Sequence, residues 1–145
     1  MIVVDTTVLV YAVGAEHPLR DPCRALVEAV ADGEVRGTTT VEVVREFTHV
    51  RARRCSRADA VALARSYADL FAPLLPVGAD ELLAGLKLFE RTEALEPFGA
   101  VVAAAALSHG ASGVVSADAG FARVRGLRHL DPADPGFAAQ LAALA

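Results

Sequence analysis

Short apolar runs alternate with amphipathic stretches along the whole chain. Ile2-Val3-Val4 is a continuous apolar run of strand length, and the stretch from Thr6 to Val13 reads as a helix ended by Gly14. Pro18 opens a second helix to about Asp32, with Leu19, Cys23, Leu26, Val27 and Val30 on one face and Gly33 closing it. Val35 to Thr38 predicts a strand, and Thr40 to Arg53 a helix. Ser56 then caps a helix reaching Phe71, with Asp59 at the spacing of a capping box. Leu74 to Val77 reads as a strand between Pro73 and Pro76, followed by helices over Ala79 to Thr92 and Pro97 to His109. Strands at Gly113 to Ser116 and Leu127 to Leu130 flank a short helix from Ala119 to Val124, and Asp134 to Leu144 is a terminal helix.

Strands that are unbroken Val/Ile/Leu runs, alternating with helices, predict a parallel sheet covered on both faces. The expected fold is therefore α/β: one three-layer α/β/α domain over residues 1–145, with a mainly parallel central sheet of four to five short strands. Right-handed crossovers in such a sheet bring every strand's C-terminal end to one edge, where ligands bind.

Acidic residues fall at that edge. Asp5 directly follows the first strand, Glu42 follows the second by a few residues, and Asp118 follows the strand at Gly113. Clustered carboxylates without a basic neighbour are what hard divalent cations bind. Each acid also has a structural alternative. Asp5 and Asp118 stand where they can cap the following helices, and Thr39 and Glu42 have capping-box spacing. Capping and facing a crevice are compatible, and coincidence at one edge favours the second role. Thr6 and Ser116 adjoin the acids and could hold a water or a phosphate oxygen.

Composition narrows the classes. The chain is 54% hydrophobic and 22% charged, which excludes disorder, and its longest apolar run, Ala100 to Leu107, is too short to cross a membrane. The start MIVVDTTVLVYA lacks leading basic residues and does not read as a signal peptide. Cys23 and Cys55 belong to no motif, as expected of thiols in a reducing cytoplasm. The four histidines lack zinc-site spacing, and no phosphate-binding glycine loop or serine-hydrolase elbow occurs. Net charge is −4, yet Arg45, Arg51, Arg53, Arg54 and Arg57 crowd one stretch. They either neutralise phosphates, with Arg45 and Arg51 as candidate phosphate contacts, or complement a helix C-terminus.

The segments VVDTTVLVYAV, HPLRDPCRALVEA, TTVEVVREFTHV and VVAAAALSHGASGVVSADAGFARVRGLRHLDP resemble the PIN-domain ribonucleases, specifically the toxins of VapBC-type toxin–antitoxin pairs. The likeness runs nearly end to end. It implies Mg²⁺- or Mn²⁺-dependent hydrolysis of RNA, a cytoplasmic protein, an antitoxin that covers the acidic crevice, and a homodimer. It also implies that Asp5, Glu42 and Asp118 are catalytic and bind metal. The family's remaining acid begins a helix in a stretch of the form Asp-Ala-Leu-Ile-Ala-Ala, and here Gly99-Ala100-Val101-Val102-Ala103-Ala104 stands in its place. Gly99 thus occupies a metal-ligand position without a ligand, which predicts impaired activity. Glu96, three residues earlier, is a disfavoured substitute, because Pro97 constrains its path toward the site.

The rival expectation is a non-catalytic PIN-like module that binds RNA or an antitoxin, and Gly99 is its sequence support. A phosphoryl-transfer domain with Asp5 as nucleophile is disfavoured, since Thr7 stands where a second acid is needed.

Overall fold

A computed structural model describes residues 1–144. Its centre is a four-stranded, all-parallel sheet in the order β2-β1-β3-β4: β1 Ile2–Val4, β2 Gly37–Thr38, β3 Gly113–Val115 and β4 His129–Leu130. Every residue of β1 and β3 is buried, so helices cover both faces, as the unbroken valine runs predict. β1 is central. Val3 pairs with Thr38 on one side and Val114 on the other, and the ladder continues as the Asp5 amide donates to the Val115 carbonyl at 3.0 Å.

Among the described residues seven helices surround the sheet: α1 Thr6–Ala12, α2 Arg20–Ala31, α3 Val41–Arg54, α4 Arg57–Leu70, α5 Ala79–Arg91, α6 Pro97–Ser108 and α7 Phe137–Ala142, with a 3-10 turn at Ala119–Arg123. α1 packs on α2 and α3, and α3 on α4. α5 pairs with α6, which also meets β3 and the 3-10 turn. From Ala100 to Ala106 only Val101 on α6 is not fully buried, and these small side chains let its neighbours close in. None of the described helices is long and apolar enough to cross a membrane.

Three expectations need correction. Leu74 to Val77 does not form a strand. Leu75 alone reaches the sheet's edge, donating its amide to the Thr39 carbonyl at 2.8 Å and bridging Thr40. Pro73 and Pro76 on either side have no N–H with which to extend the ladder. The capping box expected at Thr39 and Glu42 is absent. Thr40 is the cap, accepting the Val43 amide at 3.1 Å, while the Thr39 hydroxyl donates to the Val4 carbonyl at 2.6 Å and fixes the end of β1. The terminal helix begins at Phe137 rather than Asp134, because Asp134 and Pro135 form a turn in which the Asp134 carboxylate accepts the Gly136 amide.

Candidate active site

Asp5 sits where β1 ends and α1 begins. It is 4% exposed, and its Oδ2 accepts three hydrogen bonds: from the Thr7 amide at 3.4 Å, the Thr7 hydroxyl at 2.9 Å and the Ser116 hydroxyl at 2.7 Å. Burial pushes its carboxyl above the ordinary range, and the hydrogen bonds from Ser116 and Thr7 only partly counter that. A buried carboxylate oriented by donors, yet costly to ionise, is relieved by a cation.

Asp118 reaches the same place from the far end of β3. Ser116 is the hinge of the arrangement. Its hydroxyl donates to Asp5 and accepts the Asp118 amide at 3.0 Å. Thr7 mirrors it, donating to Asp5 and accepting the Ala117 amide at 3.0 Å. Asp118 itself caps the 3-10 turn, its Oδ1 accepting the Gly120 amide at 2.8 Å. That turn lies hard against the loop before α6, and a Cβ on Gly120 would fall 2.4 Å from the Ala94 carbonyl oxygen. A glycine is therefore required to hold Asp118 in position.

The third acid is Glu46, from α3. Its Oε2 accepts the Thr6 hydroxyl at 2.6 Å, which ties α3 to the first residue of α1. Asp5, Glu46 and Asp118 line one cleft of about 410 Å³, with Glu96 and Arg54 also on its wall. Gly99 borders the same cleft from the first turn of α6. A Cβ there would stand 3.2 Å from Leu95 Cδ1 and 3.4 Å from Phe121 Cζ, so a side chain fits with a small shift of Leu95.

Not every residue expected here arrives. Glu42 lines a different cavity, between α3, α5 and α6, and its carboxylate is paired with Arg45. The acid one helical turn further along α3 reaches the cleft instead, because Thr6 meets α3 at that level. Neither Thr6 nor Ser116 offers a free hydroxyl to a substrate. Ser116 is wholly buried, and both are spent orienting carboxylates. Arg51 binds Asp59 at 2.5 Å and donates to the Val13 carbonyl at 3.0 Å, so it ties α3 to α4 and to the end of α1. Among residues the sequence did not single out, Glu46 and Thr7 are the two that shape the cleft. No local signal marks Glu46 over Glu42, as both stand on α3, one on each side of Arg45.

The donor set is all oxygen, with no histidine or cysteine on the cleft wall, which suits Mg²⁺ or Mn²⁺ over zinc. No group of three Asp, Glu, His or Cys side chains among the described residues is arranged to cage an ion. Magnesium does not need a cage. It keeps several waters and takes one or two carboxylates from a protein, a demand that Asp5 and its neighbours can meet.

The PIN domain family model matches residues 2–127. The chain is 52% identical over 136 residues to Ribonuclease VapC7 of Mycobacterium tuberculosis (strain ATCC 25618 / H37Rv), covering 91% of this chain and 92% of that protein. It is 38% identical over 74 residues to Ribonuclease VapC23 of the same strain, an alignment covering 49% of this chain and 59% of that protein. The chain belongs to the PIN-domain family, and within it to the VapC type.

Proposed function

We propose that this chain is a divalent-cation-dependent endoribonuclease, the toxin of a toxin–antitoxin pair, with Asp5, Glu46 and Asp118 holding Mg²⁺ or Mn²⁺. The observation that carries this is the buried Asp5 carboxylate, fixed by Ser116 and Thr7 at the head of an all-oxygen cleft that Asp118 and Glu46 share. When bound, such a cation polarises the scissile phosphate and acidifies an attacking water. The Ser116 hydroxyl binds the Asp5 carboxylate and the Asp118 backbone amide, and the Gly120 amide binds the Asp118 carboxylate, so both residues are oriented before any substrate arrives. Thr6 keeps Glu46 turned toward them. Gly99 offers the cleft no carboxylate at its own position on α6, where Glu96 is the acid on the wall, and this lowers cation affinity and slows cleavage. A cognate antitoxin covering the cleft, a homodimer and a cytoplasmic setting complete the proposal, the last in keeping with two free thiols.

Two observations favour a second reading, a degenerate module that binds RNA or an antitoxin without cutting. They are Gly99 and the lack of a ready-made three-acid group among the described residues. A panel of single-stranded and looped RNAs, incubated with Mg²⁺ or Mn²⁺, separates the two. The nuclease reading expects slow cleavage that EDTA and Asp118→Asn both abolish. Cleavage that persists in EDTA would contradict it, and binding without cleavage, even in Gly99→Asp, would establish the module.

A further inference from the structure

The arginine-rich stretch presents two adjoining faces of α3, and only one of them belongs to the acidic cleft. Glu46, Val50 and Arg54, four residues apart, line that cleft. Arg45, His49 and Arg53, also four apart, lie about 100° around the helix and line a separate groove between α3 and α4. Arg57, at the start of α4, closes the groove's far end, and the volume is about 560 Å³. Arg45, His49, Arg53 and Arg57 are all exposed. Among the described residues no acidic side chain lines the groove. The nearby acids are engaged elsewhere, Asp59 with Arg51 and Glu42 with Arg45. Arg53 and Arg57 form none of the ion pairs found among the described residues.

Two uncompensated cations, Arg53 and Arg57, at the end of a row that also holds the paired Arg45 and the imidazole of His49 point to an anionic ligand, on a protein whose net charge is −4. Successive members of the α3 row rise about 6 Å apart along the helix axis. That makes a straight track for a chain of regularly repeated negative charge. The rest of the lining is Thr48, Ala52, Ala60 and Val61, with no aromatic side chain and one large aliphatic, a poor match for the apolar anchors by which peptides dock.

We infer that the α3–α4 groove is a phosphate track, where Arg53, Arg57, His49 and Arg45 hold the backbone of a single-stranded RNA outside the acidic cleft. This deepens the nuclease proposal and rests on it only for the identity of the polyanion. Phosphate contacts of this kind place a strand without reading its sequence. The track would therefore set affinity and the direction of approach, while the carboxylates act on the phosphate that reaches the cleft.

The test is equilibrium binding of a fluorescent single-stranded RNA in EDTA, measured across a salt series, so that no cleavage is needed. The double variant Arg53→Gln/Arg57→Gln is compared with the parent and with Arg125→Gln/Arg128→Gln, which removes equal charge from exposed sites elsewhere. Losing two single-strand phosphate contacts lowers the slope of log affinity against log salt by about 1.4. The groove variant should show that fall and weaker binding, the control pair neither, and all three should melt alike. Unchanged slope and affinity in the groove variant would overturn the proposal. So would a groove variant that loses affinity for a fluorescent poly-glutamate peptide but not for RNA, which would make the groove a protein-docking surface. Because Asp118→Asn should bind RNA on the parent's slope while failing to cut, failure of the track and failure of the nuclease site are distinguishable.

Discussion

Gly99→Asp is expected to raise metal-dependent RNA cleavage by on the order of 100-fold, since a direct carboxylate ligand should matter at least as much as an outer-shell partner. The structure permits the change. Gly99 is in the first turn of α6, where a carboxylate is favoured by the helix dipole, and its added Cβ asks only for a slight withdrawal of Leu95. The variant should also respond more strongly to the ion. Added acid in a pocket already holding Asp5, Glu46 and Asp118 increases repulsion without metal, so its Tm should fall below the parent's in EDTA and climb further on adding Mg²⁺. Cleavage kinetics with and without Mg²⁺, alongside thermal melts, check both parts. A Gly99→Asp protein that takes up metal but stays inert would show that residue 99 is not a missing ligand position.

Asp5→Asn should move activity and stability in opposite directions. Cleavage should drop by about 100-fold or more if Asp5 is the proposed cation ligand, because its oxygen loses its charge. Metal-free stability at neutral pH should rise. The sign follows from burial, which raises the folded-state pKa of Asp5 above the unfolded value of 3.8. Between those two values the native state binds more protons than the unfolded one, so stability falls as pH rises through the window. Above it the full cost of the buried charge is present, and the amide escapes that cost while its oxygen still accepts from Ser116 and Thr7. Below pH 3.8 the parent is neutral in both states and the two proteins should converge. Denaturant unfolding across pH, in EDTA, measures the difference. A variant less stable than the parent at neutral pH would mean that the hydrogen bonds to the charged form outweigh burial.

The legible and illegible parts of this molecule divide along a physical line. Strands β1 and β3 could be read directly, because an unbroken run of valines has nowhere to go but a doubly covered parallel sheet. Asp5 and Asp118 were legible for the same reason, each being the first or third residue after such a strand. The Leu74 to Val77 segment is apolar enough for a strand, but Pro73 and Pro76 decide the outcome by removing the amides a ladder needs. Glu42 and Glu46 pose a harder problem. They stand four residues apart on one helix, within about 40° of each other around its axis. What separates them is tertiary: Thr6 from α1 meets the second, and Arg45 draws the first toward another cavity. Nearness in sequence to the strand end favoured Glu42, while the packing of α1 on α3 brings Glu46 to Asp5. Similarly, Arg51 looks like a phosphate contact in sequence, and only the fold shows it held by Asp59.

The central claim is that a hard cation binds among Asp5, Glu46 and Asp118, with Glu42 outside its reach. Titration of Mn²⁺ into the parent, Glu46→Gln and Glu42→Gln, followed by the loss of the free-ion paramagnetic resonance signal, tests it without RNA. Glu46→Gln should weaken binding by about 10-fold or more, while Glu42→Gln should leave it at the parent's level. Binding lost in Glu42→Gln and kept in Glu46→Gln would contradict the site described here.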